Sequence, residues 1–302
     1  MEKGKGQFSL KIHGWIGLGI IAISEILLFS GNSFVNIYFT PLAWSGYILF
    51  VDALVFRLKG ASMIVSRLKE ILLMLLLSFL FWEVFEFFNL YIQNWHYVGL
   101  PEDLIVRWLG FGWAFATILP AILETAEGLE TWHRIARQKI HPFKIRRGHL
   151  YLSLAFGAFC LILPLIASPG LAKYMAAPVW VGFIFLLDPL NYWMGNKSLF
   201  ADLEKGNPRT LYSLLISGII CGLLWEFWNY WAGAKWHYTI PILGEVKIFE
   251  MPVLGYFGFP PFAVECHVMY YFVRNVFSKK CLKCAKVPKM PKVADKNISI
   301  IF

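Results

Sequence analysis

Residues 71–92 read ILLMLLLSFLFWEVFEFFNLYI, and residues 211–231 read LYSLLISGIICGLLWEFWNYW. Each run can cross a bilayer as a helix, because spanning the hydrocarbon core takes about 20 apolar residues. Each run also carries a Glu followed three positions later by an Asn, namely Glu86 with Asn89 and Glu226 with Asn229. Residues three apart share a helix face, so the two stretches predict transmembrane helices with the same polar pair.

Six further apolar runs approach this length. They extend from about Trp15 to Phe29, Ile37 to Phe56, Trp108 to Leu123, Leu150 to Ile166, Ala176 to Trp193 and Val253 to Val273. The composition agrees, since 58% of the 302 residues are hydrophobic and only 16% are charged, which exceeds what one soluble core can bury. We therefore predict an all-α integral membrane protein of about eight transmembrane helices, with the lipid bilayer as its solvent.

The basic residues indicate topology. The net charge is +9, but Lys and Arg lie between the apolar runs and in the C-terminal tail, which argues against a nucleic-acid-binding face. Alternate connections are rich in them, and basic connections stay on the cytoplasmic side. The opposite connections contain only Arg107, Lys173, Lys235 and Lys247. We predict a multi-pass protein of the cell inner (plasma) membrane with both termini cytoplasmic.

The same polar residues recur along the chain at an offset of 136 to 141 residues. The matched positions are Pro41, Trp44, Gly46 and Asp52 with Pro178, Trp180, Gly182 and Asp188; Glu86 and Asn89 with Glu226 and Asn229; Trp95, His96 and Tyr97 with Trp236, His237 and Tyr238; and Pro120 and Glu124 with Pro261 and Glu265. Four crossings per unit return the chain to the same side, so the copies are parallel. We predict one four-helix repeat over 1–130, a basic linker over 131–148, a second repeat over 149–277 and a Lys-rich cytoplasmic tail over 278–302.

Acidic side chains inside the bilayer are candidate functional groups, because a carboxylate there costs at least about 2.5 kcal/mol and is usually paired, protonated or next to a cavity. The candidate catalytic residues are Glu86, Glu226, Glu124, Glu265, Asn89 and Asn229. The candidate substrate-binding residues are Trp95, His96, Tyr97, Trp236, His237, Tyr238, Asp52 and Asp188. The alternative is that these groups bond between helices and only hold the bundle together.

The two Trp-His-Tyr triplets follow the third and seventh apolar runs, where amphipathic rings also serve as interface anchors. No spacing around His96 or His237 is typical of a zinc or haem site. Cys281 and Cys284 form a lone CxxC, which supplies two ligands where a structural zinc site takes four. With no glycine-rich phosphate loop, GxSxG or HExxH motif in the sequence, we predict no cofactor and no metal.

Part of each half resembles the lycopene cyclase domain of membrane carotenoid cyclases. The resemblance lies in Trp225-Glu226, then Trp236-His237-Tyr238, then Pro261 and Glu265, and in the similar order Glu86, Trp95, Tyr97, Pro120 and Glu124. That family carries adjacent glutamates just after the proline, whereas here a single Glu follows four residues later. The resemblance implies an isomerase or cyclase in which a buried Glu protonates an isoprenoid double bond and aromatic faces stabilise the carbocation.

Three functions are compatible with the sequence. The first is a membrane enzyme that acts on an isoprenoid or other lipid by acid-base chemistry from buried glutamates, with an apolar small molecule or lipid as its ligand. The second is a proton- or cation-coupled transporter or channel that uses the same carboxylates. The third is a structural subunit of a membrane complex. The sequence indicates neither the substrate nor the oligomeric state.

Overall fold

The computed structural model describes residues 9–277, which fold mainly into helices. In chain order the α-helices are α1 (Ile12–Phe29), α2 (Ser33–Lys59), α3 (Met63–Ser66), α4 (Leu68–Ile92), α5 (Leu104–Ala116), α6 (Ile118–Leu129), α7 (His133–Ala136), α8 (Arg147–Ile166), α9 (Pro169–Ala172), α10 (Ala176–Trp193), α11 (Leu199–Glu204), α12 (Arg209–Trp231) and α13 (Phe259–Phe277). The strands are β1 (Trp95–Val98), β2 (Lys235–Tyr238), β3 (Lys247–Ile248) and β4 (Met251–Pro252).

Six helical segments in the described part of the chain are long and apolar enough to cross a membrane: α1, α2, α4, α5 with α6, α8 and α12. Their lengths and compositions confirm the prediction of membrane-type helices. The runs predicted at Ala176–Trp193 and Val253–Val273 are also largely helical, as α10 and α13.

Two details differ from the prediction. The last long helix begins at Phe259 rather than Val253, because Val253–Gly258 forms a 3₁₀ helix. Pro260 and Pro261 then occupy the first turn of α13, where a missing N–H costs little. The fold is also not purely helical, since β1 pairs with β2 and β3 pairs with β4 in two small antiparallel sheets.

Local capping groups set the ends of α2. The Asn32 side chain accepts a hydrogen bond of 3.0 Å from the Val35 backbone N–H and so satisfies one free donor of the first turn. At the other end Gly60 adopts the left-handed conformation with φ 75°, which glycine reaches without a Cβ penalty.

Glycines let two pairs of helices approach closely. A Cβ on Gly17 of α1 would collide with the carbonyl oxygen of Gly46 in α2, and a Cβ on Gly46 would lie 2.7 Å from the Gly17 oxygen. In α8, a Cβ on Gly157 would lie 2.8 Å from the carbonyl oxygen of Gly182 in α10. Small residues at such crossings are typical of membrane helix packing, where dispersion contacts replace the hydrophobic effect.

Aromatic rings join the two halves of the chain in the core. The ring of Trp44 in α2 lies 5.3 Å from Trp225 and 5.0 Å from Trp228, both in α12. Phe85 in α4 stacks on Trp180 in α10 at 5.1 Å. Edge-to-face and offset arrangements of this kind add to the dispersion energy of packing.

The outward surface is apolar. In α1, the exposed side chains include Ile12, Ile16, Ile23, Ile26 and Phe29, which are 51–77% exposed. A soluble protein would not present such a continuous apolar face to water. These side chains therefore suit contact with lipid acyl chains.

Candidate functional site

Glu86 accepts hydrogen bonds from three aromatic side chains. It lies in α4, where Trp82, one turn earlier, donates its indole N–H to Oε1 at 2.8 Å. Trp95 donates its indole N–H to the same oxygen at 3.0 Å, and the Tyr97 hydroxyl donates to it as well. The last two donors come from β1, so the strand encloses the carboxylate at the end of the helix.

Glu226, the matched residue of the second half, also accepts a hydrogen bond from the tyrosine of its triplet. The Tyr238 hydroxyl donates to Glu226 Oε1 at 2.8 Å, and the Trp236 indole N–H donates to that hydroxyl at 2.7 Å. The Glu226 side chain is completely buried in α12, and its second oxygen has no hydrogen-bond partner among the described residues. A buried oxygen without a donor leaves this carboxyl able to carry a proton.

Asn89 and Asn229 hold the strands rather than face a ligand. The Asn89 side chain donates to the Trp95 carbonyl at 2.9 Å, and its oxygen accepts from the Asn94 backbone N–H at 2.9 Å. The Asn229 side chain donates to the Trp236 carbonyl at 2.9 Å and accepts from its N–H at 3.0 Å. Each Asn thus positions the strand that supplies the tyrosine.

Both Trp-His-Tyr triplets lie in strands, a few residues after the ends of α4 and α12. β1 and β2 pair antiparallel, with Trp95 opposite Tyr238 and Tyr97 opposite Trp236. Side chains alternate along a strand, so the Trp and Tyr of each triplet share one face. Those four rings line one cavity.

The two histidines point to the other face of the strand pair. Their rings lie 6.0 Å apart, and neither lines the cavity. The His237 ring Nδ1 lies 2.8 Å from Oε2 of Glu250, which also pairs with Lys235 at 2.9 Å. Partial burial of Glu250 raises its pKa. The hydrogen bond to Lys235 and the charges of Lys235 and His237 lower the pKa by more, so the pKa of Glu250 lies below its usual value.

The cavity has a volume of about 420 Å³ and an aromatic wall. This volume is in the range of sites that hold small organic ligands. The wall contains aromatic side chains from both halves of the chain: Tyr38, Trp44, Trp82, Trp95, Tyr97, Phe111, Phe115, Tyr174, Trp180, Trp225, Trp236, Tyr238, Phe257, Phe259 and Phe262.

Three polar atoms of cavity-lining residues have unused hydrogen-bonding capacity. Thr40 Oγ1, Trp44 Nε1 and Asn94 Oδ1 have no hydrogen-bond partner among the described residues, and their side chains are at least nine-tenths buried. Buried polar atoms are usually satisfied. These three atoms therefore have hydrogen-bonding capacity that no described residue uses.

Glu124 and Glu265 are completely buried, and neither lines the cavity. One oxygen of Glu265 accepts from the Phe183 backbone N–H at 3.0 Å, and the other has no partner. Neither oxygen of Glu124 accepts a hydrogen bond from a nitrogen or hydroxyl donor in the described part of the chain. The Asp52 carboxyl lies next to the Glu124 carboxyl.

Pro120 and Pro261 lie in the first turns of α6 and α13, so each helix begins just before its proline.

Asp52 and Asp188 bind the polypeptide that follows their helices. Asp52 accepts from the Ser62 hydroxyl and the Ile64 backbone N–H, both at 2.8 Å, and His13 Nε2 lies 3.0 Å away. Asp188 accepts from the Leu199 backbone N–H at 3.0 Å and from the Phe200 N–H at 2.9 Å. Neither Asp lines the aromatic cavity.

Sequence reasoning missed most of the cavity wall. Trp82 and Phe262 were not candidates, because single aromatic residues in apolar runs carry no distinguishing signal. The recurring positions Trp44 and Trp180 do line the cavity, so the repeat itself was the available signal.

Within residues 9–277, no group of three or more His, Cys, Asp or Glu side chains is arranged to hold a metal ion. Cys281 and Cys284 lie outside the described residues. No protein-family profile, curated protein or solved structure matches the chain.

Proposed function

We propose that this chain is a multi-pass membrane enzyme that acts on an isoprenoid or other lipid by acid-base chemistry. The observation that carries the proposal is the placement of Tyr97 and Tyr238. Both line the 420 Å³ aromatic cavity, and each donates its hydroxyl hydrogen bond to a glutamate, Glu86 or Glu226. The mainly apolar lining suits an apolar chain, and the two Glu–Tyr pairs are the proposed proton-transfer groups.

The proposed chemistry needs no oxidant. Addition of a proton to one carbon of a double bond and removal of a proton from a neighbouring carbon give an isomer or a ring. The Tyr238 hydroxyl can take such a proton from the ligand while it passes its own proton to Glu226, and the reverse shift returns a proton to the ligand. The faces of Trp95, Trp180 and Trp225 around the cavity stabilise the intermediate cation through their ring quadrupoles.

The proposed architecture has eight crossings in two parallel four-helix repeats, over 1–130 and 149–277. It is supported by equivalent contacts in the two halves: each Glu meets a Tyr of the following strand, and each Asn meets a Trp carbonyl. The alternation of basic connections supports cytoplasmic termini in the inner (plasma) membrane.

Lipid analysis of expressing cells tests the enzyme proposal. We expect wild-type protein to change the amount of at least one isoprenoid or other lipid, and Glu226→Gln to abolish that change at equal protein level. Glu245→Gln is the matched control, since Glu245 is exposed in the loop after β2. An unchanged lipid profile for wild type, or an active Glu226→Gln variant, would contradict the proposal.

A second candidate function is proton-coupled transport. A smaller polar cavity of about 120 Å³ is lined by Glu127, Glu130, Lys59, Arg67, Lys197 and His267, and by Leu123 and Ala126, which flank Glu124 in sequence. Buried carboxyls next to a polar cavity are typical of proton paths. Flux across proteoliposomes that is lost in Glu124→Gln, together with unchanged lipids, would favour transport over the enzyme.

A further inference from the structure

The charged residues that line the aromatic cavity are all basic in the described part of the chain. They are Arg107 in α5, Lys173 after α9 and Lys235 in β2, and no Asp or Glu lines the cavity with them. Most of the remaining wall is apolar. The cavity therefore combines a hydrophobic interior with positive charge.

These residues are unusual in the sequence as well. The connections on the Lys- and Arg-poor side of the predicted topology contain only four basic residues, Arg107, Lys173, Lys235 and Lys247. Three of the four line the cavity, whereas Lys247 lies exposed in β3. Most of the few basic residues on this side of the predicted topology therefore belong to the wall of one cavity.

Two of the three charges lack an acidic partner. Lys235 is paired with Glu250 at 2.9 Å, which offsets its charge. Arg107 bonds only the Pro101 carbonyl, through Nε at 2.9 Å and Nη2 at 2.7 Å, and no carboxylate pairs with it among residues 9–277. Lys173 lies over the Tyr174 ring at 5.4 Å and likewise has no acidic partner there.

We propose that the ligand of this cavity is an amphipathic lipid with an anionic headgroup, whose phosphate or carboxylate binds at Arg107 and Lys173 while its apolar chain lies among the aromatic rings. The inference rests on the proposed function and narrows its substrate class from any apolar lipid to an anionic one. Arg and Lys are the side chains that bind phosphate and carboxylate oxygens most strongly.

A matched pair of ligands tests the headgroup separately from the chain. The probes are a C15 prenol and the corresponding C15 prenyl monophosphate, with binding measured on the full chain in phosphatidylcholine nanodiscs and corrected with empty nanodiscs. We expect the monophosphate to bind at least about tenfold more tightly than the alcohol. Dioctanoyl phosphatidic acid is tested beside them to distinguish a glycerolipid ligand from an isoprenoid one. The anionic lipid whose chain fits the cavity should bind at the lower concentration.

The decisive variant is Arg107→Gln with Lys173→Gln, and its control is Lys247→Gln. We expect the double variant to lose the phosphate preference while still binding the alcohol, which also shows that the cavity remains folded. Arg107→Lys should retain part of the preference, because it keeps the charge.

Equal affinity for alcohol and monophosphate, or the same preference in the double variant, would overturn this inference and leave the enzyme proposal intact. Absence of binding by all three probes to wild type would overturn both.

Discussion

The hydroxyl of Tyr238 lies 2.8 Å from Oε1 of Glu226. The two residues come from different elements, since Glu226 lies in α12 and Tyr238 in β2. The helix alone would leave the carboxyl unpartnered in an apolar environment. Strand β2 brings the Tyr238 hydroxyl to this carboxyl, and Tyr238 also lines the cavity.

Removal of this hydroxyl should destabilise the protein. Tyr238→Phe leaves the Glu226 oxygen without its donor, and an unsatisfied buried acceptor costs about 1–3 kcal/mol. We expect a lower midpoint of thermal unfolding in detergent. Tyr256→Phe is the control, because the Tyr256 hydroxyl bonds the Ile248 carbonyl near the surface. Equal midpoints for Tyr238→Phe and wild type would show that this bond contributes nothing to stability.

The close helix crossings make a second prediction. Gly17→Ala should destabilise the protein by roughly 1–3 kcal/mol, because the added methyl group meets the Gly46 backbone and forces α1 from α2. Gly19→Ala, in the same helix, has open space around its Cβ and should be neutral or slightly stabilising. The measurement is the thermal midpoint of each variant, and a Gly17→Ala variant as stable as Gly19→Ala would contradict the packing.

The lowered pKa of Glu250 predicts that the stability of the protein depends on pH. Its pKa is lowered in the folded state, so it contributes stability above its unfolded pKa of about 4.3 and loses that contribution as the pH falls through the lower folded value. We expect wild type to be more stable than Glu250→Gln at pH 7, with the difference shrinking below about pH 4. Thermal midpoints measured from pH 7 to pH 3 check this.

Glu245→Gln serves as the reference, because the Glu245 side chain is exposed in the loop after β2. A stability difference between wild type and Glu250→Gln that grows as the pH falls would have the wrong sign for this account.

The helices were predictable because apolar length alone specifies them. The segment predicted at Ala176–Trp193 coincides with α10, and the run predicted at Ile71–Ile92 lies within α4. The strands were not predictable in the same way. Trp95–Val98 is four residues long, and its partner lies in the other half of the chain, so no local pattern reports the pairing.

The candidate site was predicted only in part. Glu86 bonds Trp95 and Tyr97, and Glu226 bonds Tyr238, contacts that the sequence offsets did not specify. Glu124 and Asp52 instead meet each other away from the cavity. Sequence offsets show which residues correspond, but which side of a helix faces a cavity depends on packing between helices.

The most direct test of the account is mass spectrometry of the lipids retained through purification. The account predicts that wild type and Glu226→Gln retain the same isoprenoid or other apolar-chain lipid at about one molecule per protein. Ala177→Trp, which places a large ring in the cavity wall, should lose it, whereas Gly19→Ala should keep it. Identical lipid profiles for wild type and a folded Ala177→Trp protein would show that the cavity holds no ligand and would contradict the account.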